Sequence, residues 1–104
     1  MSPHREQGVL SRWESHLADE RRLSPHTVRA YVRAAERLLE ATGDSDFASL
    51  AQLEAPALRA QLARRRADGV SNRSAARELS SLRAFLSFAR AEAGVSDAQA
   101  PRLR

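Results

Sequence analysis

Arginine is the residue type whose placement carries chemical meaning in this chain. Arg73 and Arg77 stand four positions apart in the run Gly69-Val-Ser-Asn-Arg-Ser-Ala-Ala-Arg-Glu-Leu-Ser-Ser-Leu-Arg-Ala-Phe85, and neither has an acidic residue three or four positions away. On a helix, like charges at that spacing repel mildly instead of pairing. Two uncompensated guanidinium groups in the first turns of a helix suit a polyanion, because the helix start adds its own positive end. Arg29 has the same character, with no local acid and a place near a helix start. Arg33 and Arg37 share its face, where Glu36 and Glu40 can neutralise them. This is chemistry of binding. No Gly-rich phosphate loop, paired acid and base, or Cys nucleophile is present. His4, His16 and His26 are scattered, so neither a metal site nor a cofactor is expected.

The elements that position these arginines can be read from apolar spacing. From Asp68 to Ala93 one long helix is expected: Gly69 breaks what precedes, Ser71 can cap, and no Gly or Pro follows until Gly94. Ala75, Leu79, Leu82, Leu86 and Ala89 gather on one side, with Arg73, Arg77, Ser80 and Ser87 opposite. Earlier, Met1 to Gln7 reads as a frayed start. Leu10, Trp13 and Leu17 mark a first helix from Gly8 to Arg21, with Trp13 a core anchor. Ser24-Pro25 opens a second helix to Thr42, with Val28, Tyr31, Val32, Ala35, Leu38 and Leu39 inward. Gly43 ends it.

Phe47, Leu50 and Leu53 should pin a short connector against the bundle. Pro56 then suits the first turn of a third helix, which runs to Ala67 with Leu58 and Leu62 inward. Arg64-Arg65-Arg66 close that helix, where cations favour its carbonyl end; this reading is preferred to a phosphate contact. Gly94 stops the long helix, and residues 95–104 read as linker. With no strand-type alternation and no repeat, the expected fold is an all-α bundle of four main helices with room for a short fifth. It forms one domain over residues 1–94.

Composition bounds the rest. The chain has 104 residues and a formal charge of +4, from 17 basic and 13 acidic residues. All the basic residues are Arg, with no Lys and no Ile, a pattern that suggests a GC-rich coding bias and discounts the arginine count as a sign of nucleic-acid binding. Position therefore matters more than number. There is no Cys, so no disulfide framework or thiolate metal site is available. No apolar run approaches membrane-spanning length, and Met-Ser-Pro-His-Arg-Glu-Gln lacks the apolar core of a signal peptide. A cytoplasmic protein without membrane contact is expected, monomeric as an isolated domain.

Two stretches carry a family resemblance. The run from Gly69 to Phe85 resembles the last major helix of the N-terminal, core-binding (SAM-like) domain of tyrosine recombinases. Leu23-Ser24-Pro25-His26-Thr27-Val28-Arg29-Ala30-Tyr31 is similar to the opening of that domain's second helix. The two stand in the family's order and at about its spacing. The likeness is nearest to the bacterial XerC and XerD group, which resolves chromosome dimers, and leans towards XerC. Two departures concern the subgroup more than the fold. Ala34 and Leu38 stand where the family often has an Asp and an aromatic residue, and the usual Asn-Pro near the linker is missing after Gly94.

The resemblance implies half of a clamp on double-stranded DNA, with cleavage performed by a second domain beyond the linker. The chain itself is therefore not expected to be an enzyme. Tyr31 matches a core-facing tyrosine of the family, not its nucleophile. The second and last major helices of the family meet the major groove. Carried over by position, Thr27, Arg29 and Arg33 lie on the DNA side of one, and Ser71, Arg73, Ser74 and Arg77 on that of the other. Arg73 and Arg77 suit base edges, and Ser71, Ser74 and Thr27 suit phosphates, although capping is the preferred role of Ser71 and Ser24. A second recombinase protomer, XerD-like, is the implied partner on DNA. A phage or plasmid integrase, a stand-alone DNA-binding regulator, and a helical protein–protein adaptor are the alternatives.

Overall fold

The computed structural model describes residues 4–95, with side chains from Gly8 onward. The expected linker therefore lies, apart from Val95, outside the described residues. Five helices follow in order: α1 (His4–Ser15), α2 (Pro25–Thr42), α3 (Phe47–Leu50), α4 (Ala55–Ala67) and α5 (Asn72–Ala93). No strand occurs among the described residues. The four longer helices and the short α3 match the expected all-α bundle.

Helix boundaries follow local chemistry. Ser24 takes an extended backbone and its Oγ accepts from the Thr27 backbone N–H at 3.2 Å, with Pro25 opening α2. Asp46 caps α3 by accepting from the Ser49 N–H at 2.8 Å. Ser71 caps α5, accepting from the Ser74 N–H at 3.1 Å. Gly43 and Gly94 close α2 and α5 at φ of 79° and 73°, a region that L side chains enter at a cost.

The first helix departs from expectation at both ends. It starts at His4, not Gly8, and its α-helical part stops at Ser15. A π-helical turn, His16–Glu20, completes it, with the Arg21 N–H donating to the His16 carbonyl at 3.0 Å. One widened turn rotates everything after it relative to a regular helix, a displacement that apolar spacing alone does not reveal. Val9, Trp13 and Leu17, in steps of four, are the buried residues of this segment, whereas Leu10 is half-buried.

All elements converge on α5. Its Leu82, Phe85, Leu86 and Ala89 are buried, and the helix packs against α2, α3 and α4. From α2, Val28, Ala34, Ala35, Leu38 and Leu39 complete the core, joined by Leu50 and Leu58. Tyr31 and Val32 are half-buried at its edge, as is Leu79 of α5. Ala34 points inward, so the small apolar residue at that position is accounted for by packing.

Trp13 is the largest anchor. Its ring lies 5.3 Å from Phe85 and 5.2 Å from Phe88, and His16 stacks on it at 5.7 Å. With 1% of its surface exposed, Trp13→Ala should cost about 3–5 kcal/mol. Urea denaturation checks this, and native tryptophan emission should be that of a dry indole.

Candidate nucleic-acid interface

Helix α2 and the N-terminal half of α5 border a cleft of about 420 Å3. Into it α2 turns His26, Arg29, Arg33 and Arg37, the three arginines spaced four apart on one face. From the other wall come Ser74, Arg77 and Glu78 of α5. A second cleft of about 320 Å3 adjoins it, lined by Thr27 and Tyr31 of α2 and again by His26, Arg77 and Glu78. Arg29, Arg33 and Arg77 are exposed, and among the described residues no carboxylate pairs with them. Four guanidinium groups thus face one carboxylate across the larger cleft. Such a concave surface of net positive charge concentrates the field and attracts an anion.

Arg37 differs from the other three. Glu36 and Glu40 stand near enough in sequence to neutralise it, yet both stay exposed and Arg37 reaches across to Glu78 of α5, its Nη2 donating to Oε1. Arg65 of α4 grips the same carboxylate: Nε lies 3.1 Å from each oxygen and Nη2 lies 3.0 Å from Oε1. The packing of α2 and α4 against α5 brings these charges together, so a partner 41 residues away replaces acids within three positions. Arg33 keeps no ion pair among the described residues.

The Arg64-Arg65-Arg66 run resolves in the same way. Beyond any favourable interaction with the end of α4, each side chain has a specific partner. Arg64 donates to Gln61 Oε1 at 2.9 Å, Arg65 binds Glu78, and Arg66 donates to Asn72 Oδ1 at 3.3 Å.

Of the residues singled out in the sequence, Arg29, Arg33, Ser74 and Arg77 meet in the larger cleft and Thr27 lines the smaller one. Thr27 is also tied locally, its Oγ1 accepting from the Ser24 hydroxyl at 3.0 Å. Ser71, the cap of α5, and Arg73, on its first turn, are exposed and line neither cleft. Sequence reasoning missed His26, Arg37 and Glu78 as cleft residues. His26 carried a signal, since it precedes Arg29 by three positions and therefore shares its side of the helix. Glu78 carried none, because its role depends on helices distant in sequence.

The model of the phage integrase N-terminal SAM-like domain matches residues 10–93, most of the chain. The chain belongs to this family. Among curated proteins, this SAM-like domain is 44% identical over 81 residues to the tyrosine recombinase XerC of Methylobacterium sp. (strain 4-46), covering 74% of the chain and 25% of that protein. It is 42% identical over 84 residues to the XerC of Bradyrhizobium diazoefficiens, covering 76% and 26%. A XerC of Pseudomonas fluorescens is 38% identical over 79 residues, covering 76% of the chain and 26% of the relative. The chain therefore spans about a quarter of the length of the curated relatives it matches. No solved structure matches it. No helix among the described residues is long and apolar enough to cross a membrane.

The capping role of Ser71 in the SAM-like domain is directly testable. Ser71→Ala should lose about 1 kcal/mol of stability, whereas Ser71→Asp, which can still accept from the Ser74 N–H, should lose little. Thermal unfolding of the two variants side by side checks it.

Proposed function

We propose that this SAM-like domain binds double-stranded DNA as the N-terminal half of a clamp in a XerC-type tyrosine recombinase, one that resolves chromosome dimers in the cytoplasm. In this reading residues 1–94 form the binding unit, and residues 95–104 begin a linker to the domain that breaks and rejoins DNA. A second recombinase protomer, XerD-like, shares the site. The observation that supports it best is the convergence of Arg29, Arg33 and Arg77 from two separate helices into one cleft without carboxylate partners among the described residues. Solvated arginines scattered for solubility have no reason to meet. The similarity to XerC proteins agrees with it.

The division of labour follows from geometry. A helix fits the major groove, and a guanidinium can bind the O6 and N7 of guanine together. Arg77, facing the cleft from the second turn of α5, is placed for a base edge or a deeply set phosphate. Arg73, on the outer first turn with Ser71, suits the flanking backbone, where contacts set register but not sequence. Arg29 and Arg33 supply the opposite wall. Thr27 and Ser74 add short hydroxyl donors near the helix starts.

The test is a salt titration of the wild type, Arg77→Ala and Arg73→Ala on two duplexes: a half-site selected from a random pool and an unselected sequence. Affinity should fall with salt, log K dropping by about 0.9 per phosphate neutralised for each tenfold rise. Arg77→Ala should cost about 1–3 kcal/mol on the selected site and much less on the other, while Arg73→Ala should weaken both alike and reduce the slope by about one. Helicity should survive, since neither residue touches the core. Unchanged affinity in both variants would put the DNA on a different face. A flat salt response would favour the adaptor reading.

A further inference from the structure

We propose that Glu78, a carboxylate inside a cationic cleft, promotes polyanion binding there by holding Arg37 and Arg65 in place; the inference rests on the nucleic-acid reading above. Charge counting alone predicts the reverse, because a carboxylate facing a polyanion repels it. Among the described residues Glu78 is the only acidic one lining either cleft, and its side chain is 15% exposed. Both oxygens are engaged: Arg65 Nε lies 3.1 Å from each, and Arg37 Nη2 donates to Oε1.

Without that carboxylate, two partly buried guanidinium groups from α2 and α4, both now held by its Oε1, would lie side by side unscreened. Their mutual repulsion in a half-dry setting would drive both long side chains towards water, and their fixed positions would be lost. Among the described residues Glu78 is the one group that anchors Arg37, holding its Nη2 while its Nε is buried without a hydrogen bond. The cluster of one carboxylate and two guanidinium groups remains net positive. Glu78 also follows Arg77 directly. Fixing one inward sets the rotation of α5 that leaves the other, about 100° round the helix, facing the cleft. A wall of arginines set beforehand has less side-chain freedom to lose on binding.

The experiment compares wild type, Glu78→Gln and Glu78→Asp for binding a labelled duplex by fluorescence anisotropy, at a temperature below each protein's thermal transition. Gln removes the negative charge; Asp retains it but is one methylene too short to hold both arginines. Positioning predicts that both bind about threefold more weakly or worse. Should Glu78→Gln not fold, Glu78→Asp carries the comparison alone. In an Arg37→Ala background the loss caused by Glu78→Asp should shrink, because part of what Glu78 holds is gone. Tighter binding by Glu78→Gln with wild-type affinity in Glu78→Asp would overturn the inference, as would an undiminished loss in the Arg37→Ala background. A wild-type chain that does not bind the duplex would overturn the nucleic-acid reading, and this inference with it.

Discussion

Burial of one side of α5 is the constraint on which this domain depends. A chain of 104 residues has few large apolar side chains to place in a core. Here Leu82, Phe85 and Leu86 are each at most 1% exposed, and every other helix packs, directly or through Trp13, against the stripe they form. A helix committed in this way on one side is rigid, and its opposite side is displayed at a fixed angle to the bundle. Arg73 and Arg77 ride on that opposite side. Their spacing relative to α2 is thus set by the same contacts that stabilise the fold.

The aromatic corner performs the complementary task at the far end. Trp13, Phe85 and Phe88 form a cluster that His16 extends and Phe47 of α3 meets edge-on, 5.7 Å from Phe88. Arg12 lies over the Phe47 ring and pairs with Glu92. The two ends of α5 therefore differ in character. Aromatic packing secures the C-terminal half, and the N-terminal half is left polar and cationic.

Between them lies the Arg37–Glu78–Arg65 seam. Ion pairs of this kind seldom add much net stability, because desolvation offsets most of the attraction. Their value lies in direction. A carboxylate that satisfies two arginines from two helices specifies how α2, α4 and α5 meet, whereas apolar packing tolerates small rotations. For the DNA-binding role proposed above, that angular specification would fix the cleft between α2 and α5.

Local rules account for what the sequence alone determined. Ser24-Pro25, Ser71, Gly43 and Gly94 mark helix ends because capping involves neighbours within a turn, and all four behave as those rules require. Spacing of three and four identified Trp13, Leu82, Leu86 and Ala89 as core, since side-chain direction on a regular helix follows from position. The same logic placed Arg29 and Arg77 outward, and the resemblance carried by those stretches pointed to the family. The tertiary structure decided everything that depends on distance along the chain. The packing angle of α1 buried Val9 and left Leu10 half-buried, and the chain closed that helix with a π-helical turn at His16–Glu20. The partner of Arg37 proved to be Glu78 instead of Glu36 or Glu40, because a carboxylate brought across a helix interface in a half-dry seam holds a guanidinium more firmly than an exposed neighbour can. Only the crossing of α2 and α5 could show that Arg29, Arg33 and Arg77 share one cleft while Arg73 stands outside it.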